Sequence, residues 1–216
     1  IAAIVNGINE ISLKSAKIAS DLNIIEPLII GDKAKILEIL KTIKWDISKD
    51  SIIDAKNESQ AAKLACNLAS NDKIKIIIKG HMHTDVLMSE YIKSSPSLRV
   101  KGKKMSHIWY MSFNNGRGPL IITDGALNIS PNLQTKKAIL TNVLDFTSKI
   151  KNFEPFISIL SATEEILPQM SSSVDARDLM EWAKKEINED LNIFGPLAFD
   201  NSISTHAARI KGLFNN

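Results

Sequence analysis

Residues 119–131, P-L-I-I-T-D-G-A-L-N-I-S-P, read as a strand that empties into a polar turn and then a helix. The apolar run 120–123 stops at Asp124-Gly125, and polar Asn128 and Ser130 follow. Ser130-Pro131 reads as the helix start, with serine as N-cap and proline at the first helical position. Open α/β sheets place their ligands where strands end and helices begin. Asp124 and Asn128 are therefore expected to look into a binding cleft.

Upstream, residues 105–113 carry a long strand pattern. Asn114-Asn115-Gly116-Arg117-Gly118 joins it to 120–123, which predicts an antiparallel hairpin. Before the hairpin, Ser94-Ser95-Pro96-Ser97 is linker-like and Lys101, Lys103 and Lys104 form a basic knot. The change of texture places a boundary there, giving domains 1–102 and 103–216. The first domain alternates strands at 1–5, 27–30, 51–55 and 74–78 with helices at 10–21, 33–44, from 57 and up to about 92. In the first helix Ile11, Ala16, Ile18 and Ala19 are expected to face the core. The β-branched run 74–78 predicts a strand buried on both faces. Asn57 with Gln60 resembles a capping box. Beyond Pro131 the pattern gives a helix to about 150 and a strand at 156–160. A second capping box at Ser172–Asp175 leads into a helix over 176–187. A strand at 193–199, interrupted by Gly195-Pro196, and a final helix over 202–213 complete an α/β chain.

The 216 residues suffice to bury a substantial core. A net charge of +3, from 27 basic and 24 acidic residues, is too small and scattered to argue for nucleic acid. No apolar run approaches the length of a membrane span, and no signal-type pattern opens the chain. The chain begins at Ile1 rather than Met, so a few leading residues are expected before it. The single cysteine, Cys66, suits a reducing compartment, most simply the cytoplasm, and reads as a small buried hydrophobe on a helix.

Four strand exits share one grammar: 79–85, 124–130, 161–165 and 200–204 put small or polar residues where an apolar strand stops. Helix N-termini offer unpaired N–H groups and partial positive charge, so such turns favour phosphate or carboxylate. Neither G-x-G-x-x-G nor a P-loop is present. His81 and His83, with Asp85, are too weakly spaced for a metal site and fit hydrogen bonding or helix capping better. His107 and His206 have no partner in sequence and read as core or surface residues. Only four arginines occur, so a phosphate site here would rest on helix N-termini and lysines. Lys101, Lys103 and Lys104 are candidates to meet the phosphates of a nucleotide-bearing cofactor.

Several segments resemble the phosphate acetyltransferase and butyryltransferase family: K-G-H-M-H-T-D-V-L-M (79–88), S-H-I-W (106–109) and I-T-D-G-A-L-N-I-S-P (122–131). L-S-A-T-E-E-I-L-P (160–168), G-P-L-A-F-D-N-S-I-S (195–204) and E-P-L-I-I-G-D (26–32) extend the likeness over nearly the whole chain. The balance leans toward the butyryltransferase-like branch. The resemblance implies two three-layer α/β subdomains of the isopropylmalate dehydrogenase type with a cleft between them, in a homodimer or larger assembly. It implies reversible transfer of an acetyl or butyryl group between coenzyme A and inorganic phosphate. On that reading coenzyme A is a substrate, and no permanently bound cofactor, metal, nucleic acid or membrane is expected. Asp124 and Asp200 become catalytic candidates, to orient a partner or take a proton. His83, Thr84, Asn128, Ser161 and Asn201 become candidates for substrate or phosphate, with Thr84 and Asn128 as donors. Lys101, Lys103 and Lys104 are assigned to coenzyme A. Two departures stand out. Met88 occupies a position where acetyltransferases often carry arginine. Family members also continue past the G-P-L-A-F-D motif into a segment that, in acetyltransferases, holds a Ser-Arg pair and an Asp assigned to catalysis. A continuation beyond Asn216 is therefore expected for an active enzyme. The alternatives are a truncated, non-catalytic homologue that binds coenzyme A or acyl phosphate, and a metal- and nicotinamide-dependent dehydrogenase on the related fold.

Overall fold

Ala2, Ala3, Ile4 and Val5 are all buried, as only a strand covered on both faces can be. In the computed structural model, which describes residues 1–94 and 98–213, they form β1 (Ala2–Val5). The chain divides into two compact units, Ile1–Gly102 and Lys103–Asn216. Residues 95–97 of the linker-like stretch lie outside the described residues.

In the first unit β1 pairs in parallel with β2 (Pro27–Gly31) and β4 (Ile76–Lys79), and β2 with β3 (Ile52–Asp54), giving the order β3-β2-β1-β4. Helices α1 (Glu10–Asp21) and α2 (Lys33–Thr42) cover one face, where Leu13, Ala16, Ile36 and Leu40 pack on Ile4, Ile29 and Ile52. On the other face α3 (Glu58–Ser70) brings Ala61, Ala62 and Ala65 against Ala3, Val5 and Ile30, with α4 (Thr84–Ser94) beside it. The Asn57 cap forms as expected, accepting from the Gln60 N–H while the Gln60 side chain accepts from the Lys56 N–H. Cys66 is fully buried.

Two expectations are corrected here. The α1 residues that face the sheet are Leu13 and Ala16, while Ile11 and Ile18 are 78% and 60% exposed. Seven positions apart, those isoleucines do share a stripe, but the sheet selects the neighbouring one. Among the described residues β4 stands at the edge of the sheet with β1 as its partner, and Ile76 is 49% exposed. A β-branched run reads the same at an edge as in the middle of a sheet.

The second unit holds an antiparallel pair, β5 (Trp109–Met111) with β6 (Leu120–Ile122), and a parallel pair, β7 (Ile157–Leu160) with β8 (Ile193–Leu197). Leu140 and Val143 of α5 (Leu133–Thr147) meet Leu179 and Ala183 of α6 (Ser171–Glu186) over Ile193. The hairpin is present, though its strands are only three residues each. The capping box expected at Ser172 is not formed. α6 begins at Ser171, five residues before the expected 176, with Met170 at the N-cap position, and Ser173 is buried with its hydroxyl bonded to Met170 O. β8 runs through Gly195-Pro196, and the single final helix is instead α7 (Phe199–Ile203) and α8 (Thr205–Ile210). Ser204 separates them and caps α8 by accepting from the Ala207 N–H. The fold is mixed α/β, mostly parallel with one antiparallel pair.

Candidate functional site

The turn after β6 is organised around the carboxylate of Asp124. Its Oδ1 accepts from the N–H groups of Ala126 at 3.0 Å and Leu127 at 2.9 Å, and its Oδ2 from Asn128 Nδ2 at 2.5 Å. The backbone N–H of His107 also points at it. Partial burial alone would raise its pKa. The N–H groups of Ala126, Leu127, Asn128 and His107 outweigh that and bring it down to about 2. Such a carboxylate is ionised at neutral pH and does not take up a proton there. Asn128 spends its other amide proton on Met105 O at 2.9 Å. The donor expected of Asn128 is therefore already engaged, and its Oδ1 is the atom left open.

From α5, Asn142 Nδ2 reaches both Lys104 O at 2.8 Å and Ser106 Oγ at 2.9 Å. Asn128 and Asn142 thus pin the segment 104–106 beside the turn. Beside the turn lies a cavity of about 360 Å³, lined by Lys104, Asn128, Ser130, Asn132 and Thr135 with apolar Leu127, Ile129 and Pro131. The start of α5 differs from expectation. Asn132 is the N-cap, its side chain accepting from the Thr135 N–H at 2.9 Å. Ser130 has a φ of 47°, in the left-handed region, whereas an N-cap residue is extended. Asn132→Ala is accordingly expected to cost about 1 kcal/mol in urea unfolding, and Ser130→Ala to stay within about 0.5 kcal/mol. Equal costs would return the cap to Ser130.

At the β7 exit Ser161 Oγ pairs with Ser172 Oγ at 2.9 Å. At the β8 exit Asn201 is buried and donates through Nδ2 to Glu164, whose carboxylate also meets Lys211 Nζ at 3.2 Å. Burial pushes the Glu164 pKa up, and the hydrogen bonds from Lys211 and Asn201 more than reverse it, leaving it below the usual range. Asp200 is exposed, and its carboxylate makes no hydrogen bond among the described residues. Neither does any hydrogen bond among the described residues join Asp124 or Asn128 to Asp200 or Asn201. Lys103 is exposed near Asp145.

His83, Thr84 and Lys101 belong to the first unit and are exposed. Thr84 opens α4, and the His83 N–H donates to Glu58 Oε2 at 3.1 Å. The loop before it is tied to the end of β1, with Asn6 Nδ2 donating to His81 O and the Gly80 N–H to Val5 O. Among the described residues no group of three or more His, Cys, Asp or Glu is placed to hold a metal ion. Thr135, Asn142 and Lys211 carried no signal in the sequence. Glu164 stood inside a recognised motif without a role.

Residues 64–214 match the family described as Phosphate acetyl/butaryl transferase. A phosphate acetyltransferase of Rickettsia typhi is 35% identical over 212 residues, which are 98% of this chain and 60% of that protein. A phosphate butyryltransferase of Clostridium beijerinckii is 30% identical over 201 residues, 93% of this chain and 66% of that protein. The crystal structure of a branched-chain phosphotransacylase from Enterococcus faecalis V583 aligns with a TM-score of 0.76 and 25% identity, over 100% of this chain and 75% of that one. A phosphotransacetylase structure from Streptococcus pyogenes aligns at 0.73 and 20% identity, over 98% and 73%, and supports the fold alone. The chain therefore spans about 60% of the length of the first curated relatives it matches. Of the two relatives, the acetyltransferase is the more identical, at 35% against 30%.

Proposed function

Because the chain belongs to the phosphate acetyl/butyryl transferase family, we propose that it serves the reversible transfer of a short acyl group between coenzyme A and inorganic phosphate. A phosphate oxygen attacks the thioester carbonyl carbon. The new C–O bond forms, the C–S bond breaks, and the proton lost by phosphate ends on the departing thiolate. The developing oxyanion and thiolate need donors or positive charge held in place beforehand.

The observation that carries this reading is the turn after β6. An ionised Asp124 fixes Asn128 beside the N-terminus of α5 and beside Lys104. Asp124 is then a positioning residue rather than a base. Asp200, exposed and without a side-chain hydrogen bond among the described residues, is the carboxylate left open to the substrate. His83 and Thr84 offer an exposed imidazole and hydroxyl to the substrate, whereas Ser161 and Asn201 are engaged with Ser172 and Glu164 and act by holding their turns. Lys101, Lys103 and Lys104 are the cations available to the phosphates of coenzyme A. The reading extends to a cytoplasmic enzyme and a homodimer or larger assembly, in keeping with the single cysteine and the family. No helix among the described residues is long and apolar enough to cross a membrane.

The full-length protein mixed with acetyl-CoA or butyryl-CoA is expected to release thiol only when phosphate is present. Release without phosphate, or no release with either thioester, would overturn the assignment.

A further inference from the structure

We infer that Asn115 is a modification site, where the side-chain amide is lost to the following Gly116 nitrogen and replaced by an aspartyl or isoaspartyl carboxylate. The inference stands apart from the acyltransferase reading. The chain holds two Asn-Gly pairs, Asn6-Gly7 and Asn115-Gly116, and the fold treats them in opposite ways. Such pairs are the reactive ones for asparagine because glycine has no Cβ to shield its nitrogen from the preceding side chain.

Asn115 and Gly116 lie in the loop between β5 and β6, and both are exposed. A Cβ at Gly116 would meet nothing within 4 Å, so the space around its backbone is open. Among the described residues neither the Gly116 N–H nor the Asn115 side-chain NH2 makes a hydrogen bond. Asn115 Oδ1 accepts from the Arg117 N–H at 3.2 Å. That bond folds the side chain back over the Gly116 peptide. It also sets a donor on the oxygen that gathers negative charge when the amide carbon is attacked.

Asn6 is held the other way. It is 7% exposed, its Nδ2 donates to His81 O, and the Gly7 N–H donates to Ile30 O at 3.2 Å. The attacking nitrogen and the departing amine are thus both tied down. Ile29, Ile4 and Leu13 crowd Gly7 so closely that a Cβ there would stand 3.0–3.2 Å from their side chains, which keeps water out.

At Asn115 the Gly116 nitrogen gives its proton to solvent and bonds to Asn115 Cγ. The Cγ–Nδ2 bond breaks, and ammonia leaves with a proton returned by solvent. Water then opens the five-membered imide. Cleavage of the new C–N bond leaves aspartate, and cleavage of the original peptide C–N bond leaves isoaspartate, with the side-chain methylene now in the main chain. One water enters and one ammonia departs. Either product sets a negative charge beside Arg117, whose Nη2 reaches Ile203 O of α7 at 3.5 Å.

Peptide mapping by mass after incubation of the folded protein at mildly acid and mildly alkaline pH provides the test. The Asn115 peptide is expected to gain about 1 Da, faster at the alkaline pH, and to split into two species. One of the two should accept methyl groups from a protein isoaspartyl methyltransferase added as reagent. The gain at Asn115 is expected to run at least about tenfold ahead of that at Asn6, whose reaction waits on local opening. In urea the two asparagines are expected to react within about twofold of each other, because the fold and not the dipeptide separates them. Asn115→Gln, whose longer side chain does not close the same ring, should hold its mass. An Asn115 peptide that gains mass in urea but not in the folded protein overturns the inference. An Asn6 peptide that keeps pace with it in the folded protein overturns it as well.

Discussion

Asp124→Ala is expected to lower the unfolding free energy of the second unit by about 3 kcal/mol, and to slow phosphate-dependent thiol release with it. The cost comes from the partners rather than from the carboxylate itself. The N–H groups of Ala126, Leu127 and His107 and the amide of Asn128 all lose their acceptor at once. Each unsatisfied buried donor costs about 1–3 kcal/mol, and water reaching this half-exposed turn recovers part of the sum. Asp124→Asn keeps one acceptor but sets an amide NH2 against the Asn128 NH2, so an intermediate loss of about 1–2 kcal/mol is expected. The pH dependence has a definite sign. The folded pKa is depressed from 3.8 to about 2, so the carboxylate stabilises the fold fully above the unfolded value. That stabilisation fades as pH falls from about 4 toward 2. Urea unfolding of the wild type at pH 7 and pH 3 should register the fade, and Asp124→Asn should lack this part of it. A variant as stable as the wild type, with the same acid slope, would show that the carboxylate does not hold the turn.

What the sequence made legible was local. Apolar runs gave the strands of the first unit, and α1 covers the 10–21 expected of it. Asp124 and Asn128 stood out for a similar reason: an Asx turn is a short-range device, its donors two to four residues away. Several of the misreadings depended on something distant. Which stripe of α1 is buried depends on where the sheet lies, and β4 looks central until β1 is seen to be its one partner among the described residues. Ser130-Pro131 has the composition of a helix start, but the left-handed turn at Ser130 moves the cap to Asn132. Glu164 meets Lys211 from 47 residues away, so no window of sequence couples them.

The first unit has its own point of no tolerance, at Gly80. A Cβ added there would stand 2.6 Å from Val5 O, 2.7 Å from Asn6 O and 3.0 Å from Asn6 C. All three atoms are backbone, so no side chain can rotate to make room. Nor can the end of β1 retreat easily. Val5 is fully buried in the middle of the sheet, and the Gly80 and His81 N–H groups bond to the same Val5 and Asn6 carbonyls. Gly80→Ala is therefore expected to cost about 3 kcal/mol or more, at the upper end of overpacking substitutions. It should also displace the loop that presents His83 and Thr84, by breaking the bond from Asn6 Nδ2 to His81 O. Gly118 is the control, because a Cβ there meets nothing within 4 Å, and Gly118→Ala should stay within about 0.5 kcal/mol. Thermal and urea unfolding of the two variants side by side make the comparison. If Gly80→Ala matched Gly118→Ala, the end of β1 would have to be free to shift, and its hold on the 80–84 loop would not be what positions those side chains.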